Sequence, residues 1–273
     1  MEEHLSVLTQ FVNRICAPVA LYILHALGIQ PESYETPIPE YVVMSLVVLV
    51  VGTILVLILR PRLSVERPGA FQQVAEGLLT NRLGFGIKDV LESNVGHGAE
   101  KFIAFTGSIS IFILLANLLG LIPAFSSPTG GSLPIVPLAC ASLTFLYFNW
   151  QGFRRHGPVS YAKHFGGPIW WLSWLIFPVE LISTSARILS LTVRLWANIF
   201  ASDLIYVIFL GLLLQPYAWA AEKSAILAVP FGVLAAVIPL AFILLHIFVS
   251  IVQAYIFTIL PSIYLGTAVS EGH

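Results

Sequence analysis

The chain has 273 residues, 58% of them hydrophobic and only 10% charged, with a net charge of −1 and a mean hydropathy of +0.90. A soluble globular domain carries about 25% charged residues, so the balance excludes that class and indicates a chain crossing a membrane several times. The near-neutral charge gives no indication of nucleic-acid binding, and two cysteines, Cys16 and Cys140, make neither a disulfide nor a metal framework.

The chain begins MEEH, acidic where a secretion signal would be basic, so no cleaved signal is expected. Residues 5–28 place Asn13 and Arg14 among apolar neighbours, which predicts a helix lying on the membrane surface. A bilayer span needs about 20 apolar residues. Residues 41–59 supply the first. Residues 69–92 mix Phe71, Val74, Leu78, Phe85 and Ile87 with charges and read as an amphipathic helix on the cytoplasmic face; a helix packed on partner protein is the alternative. Spans at 102–122 and 134–150 follow, then two long apolar stretches, 169–214 and 225–265. A continuous helix of about 45 residues would reach about 68 Å, against a hydrocarbon core of about 30 Å. Each stretch is therefore strongly tilted, broken or re-entrant. Pro178, Pro230, Pro239 and Pro261 are candidate kinks, and residues 215–224 are the expected turn. The predicted fold is an all-α polytopic membrane protein, one membrane domain over 1–273, with five membrane-inserted helices and one amphipathic surface helix.

Nine of the 13 Lys and Arg residues lie in two loops: Arg60, Arg62, Arg67, Arg82, Lys88 and Lys101, then Arg154, Arg155 and Lys163. The loop at 123–133 has none. Cytoplasmic loops are enriched in Lys and Arg. The two basic loops are thus assigned to the cytoplasm, with the N-terminal 40 residues outside and the C-terminus inside.

Arg14 and Lys223 belong outside, which leaves Arg187 and Arg194 inside an apolar stretch. A central Arg costs about 2.5–3.5 kcal/mol on insertion scales. It stays protonated, so it cannot escape that cost by neutralising. A snorkelling or structurally paired Arg is the plainer alternative to a functional one. Taking about 100° per residue and Glu180 as zero, Arg187 falls at about −20°, Arg194 at about −40° and Asn198 at about 0°. The polar residues form one narrow stripe about 27 Å long. Asp203 falls near about 140°, on another face if the helix is continuous. A polar line and a separate acid suggest two aqueous approaches kept apart. In the last stretch Ser250, Gln253 and Tyr264 all fall within about 40° of His246. The Gln253 amide can both donate and accept, so a bond from Arg194 would leave the cation charged. His246 is equally readable as a packing residue.

No HExxH, GxSxG or Walker-type glycine loop is present. Gly130-Gly131 lies in an uncharged loop. An intramembrane protease therefore lacks its motifs, and a secondary transporter would show a repeat that is not visible here. No cofactor or metal is expected, and no catalytic residue.

The run SLTVRLWANIFASDLI, 190–205, resembles the signature of subunit a of the rotary proton-translocating ATP synthases. HIFVSIVQAYIFTILPSIYL, 246–265, is similar to that family's last helix, and ANLLGLIP, 116–123, and PGAFQQVAE, 68–76, to earlier segments. The resemblance covers roughly residues 40–270. It implies that Arg194 is the essential membrane arginine, Gln253 its hydrogen-bonding glutamine and Asn198 its amide neighbour. It implies that Glu180, Arg187, Asp203 and His246 line the proton-access channels, with Tyr264 beside them. The family's partners would be a ring of c subunits with a membrane carboxylate, peripheral-stalk b subunits, the soluble ATPase sector indirectly, and the lipid bilayer. The location would be the bacterial plasma membrane, and the two long stretches would form a steeply tilted hairpin. Trp196 and Ala197 stand where Phe and Gly are common, and Ser202-Asp203 where Gly-Glu is frequent.

Overall fold

The computed structural model describes residues 6–26, 28, 30, 33–34, 36–65, 67–81, 84–96, 98–122, 125–157 and 173–269. Arg82, Lys163 and the start of the expected 169–214 stretch lie outside the described residues. Among the described residues there is helix and no strand. The helices are α1 (Val7–Ala26), α2 (Glu40–Leu59, followed by a short 3-10 turn at Arg60–Arg62), α3 (Ala70–Leu79), α4 (Ile87–Val95), α5 (Glu100–Leu119), α6 (Ile135–His156), α7 (Ser173–Lys223) and α8 (Ala225–Val269). Among the described residues, five helical segments are long and apolar enough to cross a bilayer: Val7–Ala26, Glu40–Arg62, Glu100–Leu119, Trp174–Lys223 and Val229–Val269.

This set differs from the expected one in its members. Within the segment 5–28, expected on the surface, Val7–Ala26 forms a helix with enough apolar length to span. Helix α6 falls outside the set because Asn149 and Gln151 dilute its apolar run. The amphipathic segment 69–92 is two helices. Gly84 sits at φ +76, left-handed backbone that favours glycine. A Cβ on Gly86 would lie 2.6 Å from the Leu79 carbonyl oxygen, so the chain folds back too tightly for any side chain. Asp89 Oδ2 closes the bend by accepting from the Asn81 amide at 2.7 Å.

Helices α7 and α8 are unbroken over 51 and 45 residues. Breakage and re-entrance are thereby excluded, and the prolines do not interrupt either helix. Strong tilt is what remains to fit such lengths to a core of about 30 Å. The turn is shorter than expected: only Ser224 separates the helices. Residues Ala218–Lys223 are mostly strong helix formers, and Lys223 lies 4.1 Å from the Trp219 ring centroid, a cation one turn on from an aromatic face.

The chain forms two compact units. The first comprises Met1–Leu49, Leu115–Leu133 and Trp196–Ile251. In it Asn13 is buried, donates to the Thr9 and Ile38 carbonyls and accepts from the Ile38 amide, which ties α1 to the segment before α2. Ser126 Oγ and the Ser6 amide both donate to Glu40 Oε1. The hairpin register is read from Phe209 against Phe242 and Tyr217 against Gly232.

The second unit comprises Val50–Leu114, Pro134–Leu195 and Val252–His273. Its core is Ile87, Leu91, Ala99, Phe102, Phe148, Leu265 and Ala268, drawn from α4, α5, α6, α8 and the turn before α5. Tyr147 stacks on Phe105 at 3.6 Å between centroids. Helix α8 is pinned there by buried hydroxyls: Ser110 to Thr258 at 2.8 Å, and Asn94 Nδ2 to Ser262 Oγ at 3.1 Å. By contrast Val50, Ile54, Leu57 and Ile58 of α2 are all exposed. A contiguous apolar face of this kind is suited to lipid or to a partner subunit.

Candidate functional site

Two groups of ionisable side chains stand inside the apolar helices, one in each unit.

In the first unit His246 of α8 is buried, its side chain only 6% exposed, while that of Asp203 of α7 is 49% exposed. His246 Nε2 lies 3.2 Å from the main-chain oxygen of Asn117. A carbonyl only accepts, so Nε2 carries the hydrogen. In the neutral ring Nδ1 is then the acceptor, and it takes the Ser202 hydroxyl at 3.1 Å. Asp203 Oδ1 lies 3.7 Å from the same Nδ1. That exceeds a hydrogen bond of about 2.7–3.2 Å but is close enough for strong charge attraction once the ring is protonated. The imidazole thus presents its basic nitrogen, Nδ1, to a hydroxyl and a carboxylate. A pocket of about 360 Å³ opens beside them, lined among others by Gly120, Phe125, Asp203, Tyr206, Phe242 and His246. It has room for several waters at about 30 Å³ each.

The second unit holds the polar stripe of α7. Arg187 Nη2 is 3.8 Å from Glu180 Oε1, and its guanidinium sits 4.9 Å from the Tyr264 ring centroid. One cation is therefore shared by a carboxylate and an aromatic face. The void beside Arg187 is about 10 Å³, enough for about one water. Arg194 differs. It is exposed on α7, and its Nη2 donates to Ser190 Oγ one turn back at 3.4 Å. Among the described residues no carboxylate forms an ion pair with it. Neighbouring Leu191, Thr192 and Leu195 are buried, so Arg194 points away from the packed side of its helix.

The expected bond between Arg194 and Gln253 is absent. Gln253 is 1% exposed and its Oε1 has no hydrogen-bond partner. Arg194 turns along its own helix instead, because Ser190 is within reach at i−4 without desolvating the guanidinium. Asn198 is exposed. The continuity of α7 that the separation of Arg194 from Asp203 by helical phase requires is present.

Asn117, Ser202 and Trp196 went unrecognised as contributors in the sequence. The Asn117 carbonyl orients His246, and the Asn117 side chain accepts from Thr129. Ser202 supplies the hydroxyl on Nδ1. Trp196 Nε1 donates to the Gly131 carbonyl at 2.9 Å. The signal available was the indole N–H itself, since a Trp in an apolar run needs an acceptor for it.

Long apolar helices carrying ion pairs and an orphaned amide in their interiors define a multi-pass helical membrane protein with ionisable groups inside its apolar helices. Residues 41–266 match the family model described as "ATP synthase A chain". ATP synthase subunit a of Koribacter versatilis (strain Ellin345) is 37% identical over 97% of this chain and 97% of its own length. That of Solibacter usitatus (strain Ellin6076) is 38% identical over 90% of this chain and 93% of its own. The chain belongs to the ATP synthase subunit a family.

Proposed function

We propose that this chain is the non-catalytic stator subunit of a proton-translocating ATP synthase membrane sector, standing beside a ring of c subunits. The observation that carries the reading is the exposed Arg194. A cation inside an apolar helix, with no carboxylate paired to it among the described residues, calls for a counter-charge on another chain. A ring carboxylate supplies one. A nearby guanidinium lowers a carboxyl pKa by about 1–3 units, so Arg194 favours release of the ring proton as each site arrives. Being permanently charged, Arg194 does not relay protons itself. It stands as a barrier to direct passage.

Two half-channels serve the ring. In the entry path a proton moves from external water to Asp203 or His246 Nδ1 and on to a ring carboxylate. The ring carboxylate is neutralised, and the site then turns through lipid. After nearly a full rotation the proton leaves by the path lined by Glu180, Arg187 and Tyr264, and the ring carboxylate meets Arg194 ionised. Asn198 and Gln253 supply neutral donors and acceptors along the way. The complex lies in the bacterial plasma membrane. The basic loops after α2 and α6 face the cytoplasm, and α1 lies along the external face with the N-terminus outside. Peripheral-stalk b subunits hold the chain against the ring's torque and link it to the soluble sector.

The test is ATP-driven proton pumping by the whole complex in membrane vesicles. Arg194→Ala is expected to assemble and to lose pumping. Normal pumping by that variant would contradict the reading.

A further inference from the structure

Trp196, Ile199 and Asp203 recur at i, i+3 and i+7 and so share one face of α7. That face meets the backbone of the glycine pair. Trp196 Nε1 donates to the Gly131 carbonyl at 2.9 Å. A Cβ on Gly130 would lie 2.5 Å from Ile199 Cγ2 and 3.1 Å from Asp203 Oδ2. Only glycine lets the backbone come this near the carboxylate. The segment is itself pinned. Thr129 is fully buried and donates to Asn117 Oδ1, while Ser127 Oγ donates to the Ala116 carbonyl at 3.1 Å. Asn117 is also the residue whose main-chain oxygen accepts from His246 Nε2. One strap therefore touches both members of the pair: through Asn117 it reaches the imidazole, and through Gly130 it abuts the acid.

The half-exposed carboxylate of Asp203 has open volume beside it in the pocket of about 360 Å³. Its 3.7 Å gap to His246 Nδ1 is longer than a hydrogen bond. A rotation of the carboxylate into the open side would lengthen it further. We propose that Ser127–Gly131 is a positioning segment for the Asp203 carboxylate, with Trp196 and Gly130 as positioning residues that confine it on the side facing His246. This rests on the reading that Asp203 and His246 carry protons. Trp196 holds the segment in place by its indole hydrogen bond, and Gly130 sets the distance of approach. The titratable side chains lining the pocket are Asp203, Tyr206 and His246.

The experiment compares Trp196→Phe, Gly130→Ala and Asp203→Asn in the intact complex. Proton flux is measured in vesicles across a range of pH, with assembly scored by co-purification of the other subunits. Trp196→Phe keeps an aromatic ring and removes only the donor. Both positioning variants are expected to assemble, to lose about 2- to 10-fold in flux, the equivalent of one hydrogen bond, and to shift the pH at which flux is half-maximal. A role in packing alone would scale flux with assembly and leave that pH unmoved. If Asp203→Asn keeps full flux, the underlying proton-path reading fails. If Asp203→Asn loses flux while Trp196→Phe keeps the wild-type pH profile, the positioning inference alone is overturned. Loss of assembly in Trp196→Phe overturns it too, since the bond would then serve the fold.

Discussion

Gln253 keeps a buried acceptor with nothing to accept from, at a cost of about 1–3 kcal/mol. A residue retained only for packing would be better served by an apolar side chain of the same length. Gln253→Leu is therefore expected to leave the assembled complex at least as resistant to thermal dissociation as the wild type while lowering proton flux at least tenfold. Thermal dissociation and flux measured on one preparation check this; a loss of thermal resistance with flux intact would make Gln253 structural. The ionisable residues were legible because a charge in an apolar run stands out whatever surrounds it: Arg187, Arg194, Asp203 and His246 needed no partner to be noticed. Their supports were not legible. Trp196 finds its acceptor 65 residues away and His246 finds its own 129 residues away, and neither pairing leaves a local pattern. Arg194 was expected to reach across to Gln253, and it takes the nearer Ser190 hydroxyl on its own helix.

At the scale of elements, α8 passes close against the backbone at α4 in the second unit. A Cβ on Gly266 would stand 2.4 Å from the Asn94 carbonyl oxygen, a backbone atom that cannot swing aside. Gly266→Ala is expected to destabilise the subunit by about 1–3 kcal/mol and to disturb the Asn94–Ser262 hydrogen bond beside it. Heating the detergent-solubilised complex and following release of this subunit tests that; an unchanged release temperature would show the interface to be loose. Long apolar runs revealed where α7 and α8 lie, since no soluble arrangement buries so many residues. Their interruptions were harder. The Gly84 and Gly86 bend depends on φ and on a backbone approach, so an amphipathic pattern ran through it unbroken. The turn contracted from ten residues to Ser224 because alanines, Glu222 and Lys223 sustain a helix that polarity alone had seemed to end. Asn13 and Arg14 break the apolar pattern of α1, whose length and composition alone would allow a span. In the structure Asn13 is buried and bonded to Ile38, so its polarity is satisfied internally.

For the whole molecule, the proposed function sets a fixed cation beside two separate groups of titratable side chains and gives it two duties. As proposed, it drives release of the ring proton and keeps the two half-channels from joining. Loss of pumping in Arg194→Ala reports the first duty; the second leaves its own trace. With the soluble sector's nucleotide sites blocked, the ring is held still, and protons driven by an imposed membrane potential have no rotary route. The decisive measurement is proton conductance under that block, in vesicles carrying the complete complex. Wild-type vesicles are expected to stay tight, and Arg194→Ala vesicles to conduct. Arg194→Ala vesicles as tight as the wild type, at equal complex content, would contradict the claim that this arginine separates the two paths.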